Sequence, residues 1–298
     1  MKIAHISDLH IRNFKYREEY KIAFDDLYRK LNEIKPDIVI NTGDTVHSKL
    51  SVSPELFDDL VNHFLEVTNI APYWIILGNH DLNLKNLNRI DSISPAVKAL
   101  QGRTKHELRL LDAGDISLSG FDDIVFWNFC IKGHKEFSVD ESKINIGLYH
   151  GPLSQCISDS GQKLEGEQIS KFDAMDYVLL GDIHKRQSFR NETIAYPGSL
   201  IQQNYGEELI KGFLVWDIQS KNQFSKQFYK ITTPYRFYTI HLDENFDLSS
   251  IKIPEYSRIR AMVNCELTPA KRFELEKLIS KKFKPVEIIT PDSSNSKI

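Results

Sequence analysis

With 298 residues, 34.5 kDa, 41% hydrophobic and 27% charged side chains, the chain has the composition of a globular protein. One large domain, or a large one plus a small one, fits that length, and a disordered polypeptide does not. Lys+Arg 38 against Asp+Glu 41 leaves −3, so the overall charge announces neither a nucleic-acid binder nor a membrane binder. Cys130, Cys156 and Cys265 form no C-x-x-C pair, which argues against a disulfide framework or a zinc–cysteine site. A reducing, cytoplasmic setting is the expectation. The N-terminus turns polar after Ile6, too early for a secretory signal. The longest apolar runs, such as 73–77, fall far short of the ~20 residues that span a bilayer.

Short apolar runs ending in polar residues recur in chain order. Residues 3–6 lead into Ser7-Asp8-Leu9-His10, and 37–40 into Gly43-Asp44. Residues 73–77 lead into Gly78-Asn79-His80-Asp81, 144–149 into His150-Gly151, and 177–180 into Gly181-Asp182-Ile183-His184. Their length and β-branched content predict buried strands. Between the first three, Tyr20, Phe24, Leu27, Leu31 and Ile34 follow a helical period, as do Leu56, Leu60, Phe64 and Val67 after Ser53-Pro54. The alternation predicts an α/β core with right-handed crossovers. Residues 105–131 and 189–231 read as further strands and turns, expected to form a second, mixed sheet.

After Thr232-Thr233-Pro234 the character changes. Residues 235–242 and 259–265 read as strands, Thr268-Pro269 starts a helix, and 286–289 read as a third strand. This predicts domains at 1–232 and 235–290, followed by a disordered tail at 291–298. Residues 231–298 carry a net charge of +2 and residues 1–230 one of −5.

Ligands in open α/β sheets bind beyond the carboxyl ends of the strands. Here five strand ends present Asp8 and His10, Asp44, Asn79 and His80, His150, then Asp182 and His184. The two Asp-x-His pairs place both members on one side of a continuing strand. Carboxylate, imidazole and amide together suit Mn²⁺, Fe²⁺, Zn²⁺ or Mg²⁺.

As an ordered set, Asp8-x-His10, Gly43-Asp44, Gly78-Asn79-His80-Asp81, His150-Gly151 and Gly181-x-x-His184 resemble the five motifs of the calcineurin-like metallophosphoesterases. That resemblance implies a four-layer αββα double-sheet sandwich of the α/β class. His47, three residues after Asp44, resembles the DNA double-strand-break repair nucleases, of the SbcD or meiotic-recombination-eleven type. So do Ser94-Pro95 and Tyr196-Pro197-Gly198-Ser199. In that subfamily the 235–290 unit corresponds to a small α+β capping domain. The implied activity is exo- and endonucleolytic phosphodiester hydrolysis in DNA recombination and repair.

Carried over residue by residue, one ion is held by Asp8, His10, Asp44 and His184, and the other by Asp44, Asn79, His150 and Asp182. Two divalent ions ~4 Å apart need an anionic bridge, here Asp44, and together hold a hydroxide for in-line attack. The resemblance assigns His80 to the scissile phosphate or leaving oxygen, and His47 to orienting the phosphodiester. Asp182 stands where the family usually has histidine. That adds negative charge and predicts a preference for harder ions, Mn²⁺ or Mg²⁺ over Zn²⁺.

The segments 11–17, 48–52, 82–90 and 185–191 hold nine basic and no acidic residues in 28 positions. They are Arg12, Lys15, Arg17, Lys49, Lys85, Arg89, Lys185, Arg186 and Arg190. A positive mouth would focus a polyanion on the metals, and Arg12, Lys49, Lys85, Arg89, Lys185 and Arg186 are the expected substrate contacts. The implied partners are DNA, a second copy in a homodimer, and an SbcC-like ATPase, whose docking helices are not evident after Ile289. The motifs also leave open a small-molecule phosphodiesterase or phosphatase, and a non-catalytic DNA-end-binding subunit.

Overall fold

The computed structural model describes residues 1–49, 51–131, 138–242, 245–263 and 267–290. Cys265 and the 291–298 tail lie outside the described residues. The chain divides into two compact units, Met1–Ile201 with Ile210–Ile231, and Gln202–Leu209 with Thr232–Ile298.

In the first unit β1 (Lys2–Ile6), α1 (Arg17–Ile34), β2 (Ile38–Asn41), α2 (Pro54–Ile70), β3 (Tyr73–Ile75), α3 (Ser94–Leu100) and β4 (Leu108–Leu110) follow one another. Then come β5 (Gly114–Ile116), β6 (Ile124–Asn128), β7 (Ile144–His150), β8 (Tyr177–Gly181), β9 (Gln187–Phe189), β10 (Ile194–Tyr196), β11 (Gly212–Ser220) and β12 (Gln223–Lys230). One six-stranded sheet runs β12-β11-β1-β2-β3-β4 and the other β5-β6-β7-β8-β10-β9.

This corrects one sequence expectation. The strands of 105–131 and 189–231 do not share a single second sheet, because β4, β11 and β12 join the first. β11 pairs antiparallel with β1, with Ile3 opposite Trp216. Its alternation explains the placement: Leu214, Trp216 and Ile218 face the core between the sheets, while Phe213 and Val215 face α1 and α2.

The same alternation splits β2 and β3. Ile38, Ile40 and Trp74 meet Phe126, Ile146, Leu148 and Leu179 of the other sheet, while Val39, Tyr73 and Ile75 meet the helices. Both faces being apolar is why these strands read as continuous runs. The outer face of the second sheet is covered by Leu153, Cys156, Phe172 and Met175. Among the described residues that layer is loop and one 3₁₀ turn, Ile169–Phe172, where the four-layer resemblance puts α-helix.

Two buried histidines tie the layers. Trp216 Nε1 donates to His5 Nδ1 (3.4 Å), His5 Nε2 donates to Thr42 Oγ1 (3.0 Å), and Thr42 Oγ1 donates to the Leu180 carbonyl (3.1 Å). His63 sits between the Tyr28 hydroxyl (2.8 Å) and the Tyr73 hydroxyl (3.2 Å). Burial holds His63 down at about 3, against 6.5 in an unfolded chain. The unfolded state therefore takes up a proton below 6.5 that the fold refuses, and stability falls as pH drops from 6.5 toward 3. His63→Gln is expected to remove about 2 kcal/mol of the wild-type stability loss between pH 7 and pH 5, measured by urea unfolding. An unchanged loss would mean that His63 is charged in the fold.

In the second unit β13 (Arg236–Leu242), β14 (Ser257–Val263) and β15 (Glu287–Ile289) form a parallel sheet in that order. The helix α4 (Pro269–Phe283) packs Leu275, Ile279 and Phe283 with Ile240, Ile259 and Ala261. Segment 202–209, which the sequence leaves in the large domain, clusters with this unit. Gln202 Oε1 accepts from Phe237 N (3.1 Å), and the Tyr205 ring lies edge-on to Phe237 at 5.0 Å.

Candidate metal centre

β1, β2, β3, β7 and β8 deliver the donors at their carboxyl ends, within the first unit. Beyond Ile6 and Asn41 the two chains continue side by side: Asp8 N bonds the Gly43 carbonyl (3.0 Å), His10 N that of Asp44 (2.9 Å), and Ile11 N that of Thr45 (3.0 Å). The two Asp-x-His pairs do not lie on the continuing strands that their spacing predicts. Asp8 (φ 52°), His10 (φ 49°), Asp44 (φ 53°) and Asp182 (φ 92°) are all left-handed, beyond the ends of their strands. Side chains disfavour that region, and such strain gathers where surrounding contacts impose it. The turn at Gly43 (φ 101°) needs glycine twice over, since a Cβ there would collide with His150 Nδ1 and come 2.8 Å from the Gly78 backbone.

The side chains converge on Asp44. Its Oδ2 faces His10 Nε2 at 3.6 Å and its Oδ1 faces His150 Nε2 at 3.4 Å, so the two oxygens address two different imidazoles. On the first side His10 Nε2 lies 2.9 Å from His184 Nε2, and Asp8 Oδ1 lies 4.0 and 3.9 Å from those two nitrogens. On the second side Asp182 Oδ1 is 3.6 Å from His150 Nε2 and accepts from Asn79 Nδ2 at 2.8 Å. Ligand atoms around one ion, each at 2.0–2.2 Å, stand roughly 3.0–3.6 Å apart. The first side fits that spacing, with Asp8 just outside it; on the second, Asp44 and Asp182 stand 3.4 and 3.6 Å from His150 Nε2, while Asn79 turns its amide nitrogen, which is no ligand, toward Asp182.

The donor chemistry fits divalent cations. The Thr42 carbonyl only accepts, so its 2.7 Å contact places a proton on His150 Nδ1 and turns Nε2 to the carboxylates. That Nε2 is buried with no hydrogen-bond partner among the described residues. Electrostatics calls for positive charge at the same place. Burial disfavours ionisation of His150, yet Asp44, Asp8 and Asp182 outweigh it and hold the ring up at about 10. Burial pushes the Asp8 carboxyl up to about 6 and raises that of Asp182. Asp44 is also buried, but His150 and His10 keep its carboxyl below the usual range. Burial, with His184 beside it, keeps His10 well below its ordinary value.

Of the two expected reacting histidines, His80 is anchored through its backbone, N to Asp44 Oδ1 (2.7 Å), and its ring, Nδ1 to the His47 carbonyl (2.8 Å). The His47 and His80 rings stack at 5.5 Å, and each stands edge-on to His10, at 5.5 and 4.8 Å. Burial and then Arg12 hold His47 down at about 4.

The basic segments split. Lys49 and Arg89 line one groove of about 500 Å³ beside Phe57, Ile90 and Pro95. Lys85 lies in the turn closed by Asn86 N on the Asn83 carbonyl, Arg89 closes the next turn on the Asn86 carbonyl, and Lys185 follows His184 directly. Arg186 lies over the Phe228 ring at 3.9 Å, and Arg12 Nη1 meets His47 Nε2 at 3.1 Å. Two members of the charge count serve the fold: Arg17 pairs with Asp59 (2.6 Å), and Arg190 donates to the Phe172 and Asp176 carbonyls (3.0 and 3.1 Å). These two of the nine counted cations are engaged within the fold.

Three positions escaped the residue-type reading. Asp81 accepts from Val46 N (3.0 Å) and Gly78 N (2.9 Å), joining the second and third motifs. Burial and Asp44 push its carboxyl up to about 7. Asn41 accepts from Gly43 N (3.0 Å) and donates to Thr45 Oγ1 (3.0 Å), shaping the turn that carries Asp44. The Tyr20 hydroxyl holds the His10 carbonyl at 2.5 Å. Asn41 left a signal, a polar residue closing an apolar strand, whereas Tyr20 looks like any core position of α1.

A sandwich of two sheets whose strand ends gather two imidazole–carboxylate groups around one aspartate defines a metal-dependent phosphoesterase. The chain belongs to the calcineurin-like phosphoesterase family, whose profile matches residues 1–186. It is 36% identical over 274 residues, 87% of its length, to an uncharacterised protein of Acanthamoeba polyphaga mimivirus, of which it spans 20%. It is 25% identical over 265 residues to the SbcD subunit of nuclease SbcCD from Staphylococcus epidermidis, covering 76% of this chain and 69% of that protein. No helix among the described residues is long and apolar enough to cross a membrane.

Proposed function

We propose that the chain is a metal-dependent DNA phosphodiesterase with exo- and endonuclease activity of the SbcD type. The observation that carries the dinuclear reading is Asp44, whose two oxygens lie 3.6 and 3.4 Å from His10 and His150. Asp8, His10 and His184 would hold one divalent ion with Asp44, and Asn79, His150 and Asp182 the other. Such a pair supplies Lewis acidity and a water ionised near neutral pH. Asp182 brings a third carboxylate to the donor set beside Asp8 and Asp44, and hard oxygen donors favour Mn²⁺ or Mg²⁺ over Zn²⁺.

The chain's own residues do the rest. His80 Nδ1–H is engaged by a carbonyl, so the proton for the leaving oxygen would be the second one, which the ring carries on Nε2 when it is an imidazolium. Lys49 and Arg89, on the wall of one groove, would track phosphates while its apolar floor takes bases. Similarity to the SbcD nuclease supports DNA over a small diester, and on that reading the second unit is a capping domain. A second copy and an SbcC-like ATPase are the partners it implies.

The test is cleavage of end-labelled single- and double-stranded DNA with Mn²⁺, Mg²⁺ or Zn²⁺, beside hydrolysis of bis-p-nitrophenyl phosphate. DNA cleavage, fastest with Mn²⁺, is expected. Brisk ester hydrolysis with intact DNA would replace this reading by a small-molecule phosphodiesterase. DNA binding that survives chelation, with no cutting under any metal, would leave an end-binding subunit.

A further inference from the structure

The extended ends of β1 and β2 are joined beyond the sheet: Ile11 bridges Val46, and His47 N bonds the Ile11 carbonyl at 3.0 Å. This sets Arg12 and His47 side by side, with Arg12 Nη1 3.1 Å from His47 Nε2 and its guanidinium carbon 5.4 Å from the Tyr16 ring centre. A guanidinium has donors and no acceptor. The contact is therefore a hydrogen bond only if His47 Nε2 offers its lone pair, which puts the ring proton on Nδ1. An imidazole without such a partner favours the opposite tautomer. One peptide unit away, the His47 carbonyl accepts from His80 Nδ1 at 2.8 Å, and a carbonyl only accepts. His80 is thus also committed to Nδ1–H, with Nε2 as its exchangeable nitrogen.

We infer that Arg12 is a positioning residue acting through His47: it locks the His47 ring as the Nδ1–H tautomer and so steadies the carbonyl that orients His80. This rests on the nuclease reading and refines it, because Arg12 then works without gripping the substrate phosphate itself.

The test is ¹⁵N NMR of the histidine rings in metal-free protein, with His47 assigned through His47→Asn. In the wild type the Nε2 of His47 is expected to be unprotonated and Nδ1 protonated. Arg12→Met should move the proton toward Nε2, and Arg12→Lys should restore the original form. In steady-state DNA cleavage Arg12→Met should lower kcat by about 10²-fold, with KM within about threefold. Combined with His47→Ala it should add nothing to the larger single loss, since the two residues act as a unit. An unchanged tautomer in Arg12→Met would overturn the inference, as would a rise in KM that adds to the His47→Ala loss. The NMR result stands even if the wild type cleaves no DNA, so failure of the nuclease reading shows separately.

Discussion

Asp44→Asn is expected to abolish the gain in thermal stability that Mn²⁺ gives the wild type, and to lower phosphodiester hydrolysis by about 10⁴-fold or more. Asparagine keeps an oxygen to accept from His80 N, which Asp44 Oδ1 does at 2.7 Å, so the local fold survives the change. What is lost is the anion shared by the two donor groups. Each oxygen of Asp44 faces a different imidazole, and neither group retains its geometry or its charge balance without it. In the wild type, saturating metal at 100 times its Kd adds about 2.7 kcal/mol to stability. Uptake must displace the proton that Asp44, Asp8 and Asp182 hold on His150 up to about 10, so affinity rises with pH. Thermal unfolding with and without Mn²⁺ reads this directly. A full Mn²⁺-dependent shift in Asp44→Asn would show that the donors do not share this carboxylate.

His80→Ala separates chemistry from metal assembly. Both donor groups stay intact, so the Mn²⁺-dependent rise in thermal stability should match the wild type. DNA cleavage should fall by about 10²- to 10⁴-fold, the range for losing a positioned acid. The loss should depend on the leaving group. A sugar alkoxide is a poor leaving group and needs a proton as the bond breaks, whereas p-nitrophenolate leaves readily without one. Hydrolysis of bis-p-nitrophenyl phosphate should therefore suffer far less than DNA cleavage. Equal losses on both substrates would remove His80 from leaving-group protonation and place it in phosphate binding.

Much of the centre was legible because its chemistry is local. Every candidate donor lies at or just beyond one of five strand ends, and short apolar runs leading into Asp, His or Asn stand out without knowledge of what lies beside them. The helices were equally plain, since Tyr20, Phe24, Leu27 and Leu31 repeat at the helical period and are all buried. Asp8 and His10 depart from strand alternation for a physical reason. Spacing assumes that the strand continues, and here left-handed backbone after Ile6 turns both residues inward. The charge count failed in part because a cation's role depends on its neighbour: Asp59 neutralises Arg17, and buried carbonyls absorb Arg190.

The sequence by itself determined which ligand-type side chains stand at the strand ends, their order along the chain and the family to which the chain belongs, because residue type in an ordered set of motifs is legible without the fold. Tertiary structure decided which of them meet. His10 and His184 are 174 positions apart and come to 2.9 Å where the chain leaving β8 meets the chain leaving β1, Asp182 N donating to the Asp8 carboxylate. β11 lies beside β1, and not with the strands nearest it in the chain, because alternate residues on both its faces find apolar partners there. Arg12 meets His47 through pairing beyond the strand ends that no local pattern announces. Contacts of this kind depend on sheet order and register, which are settled by packing the whole chain at once.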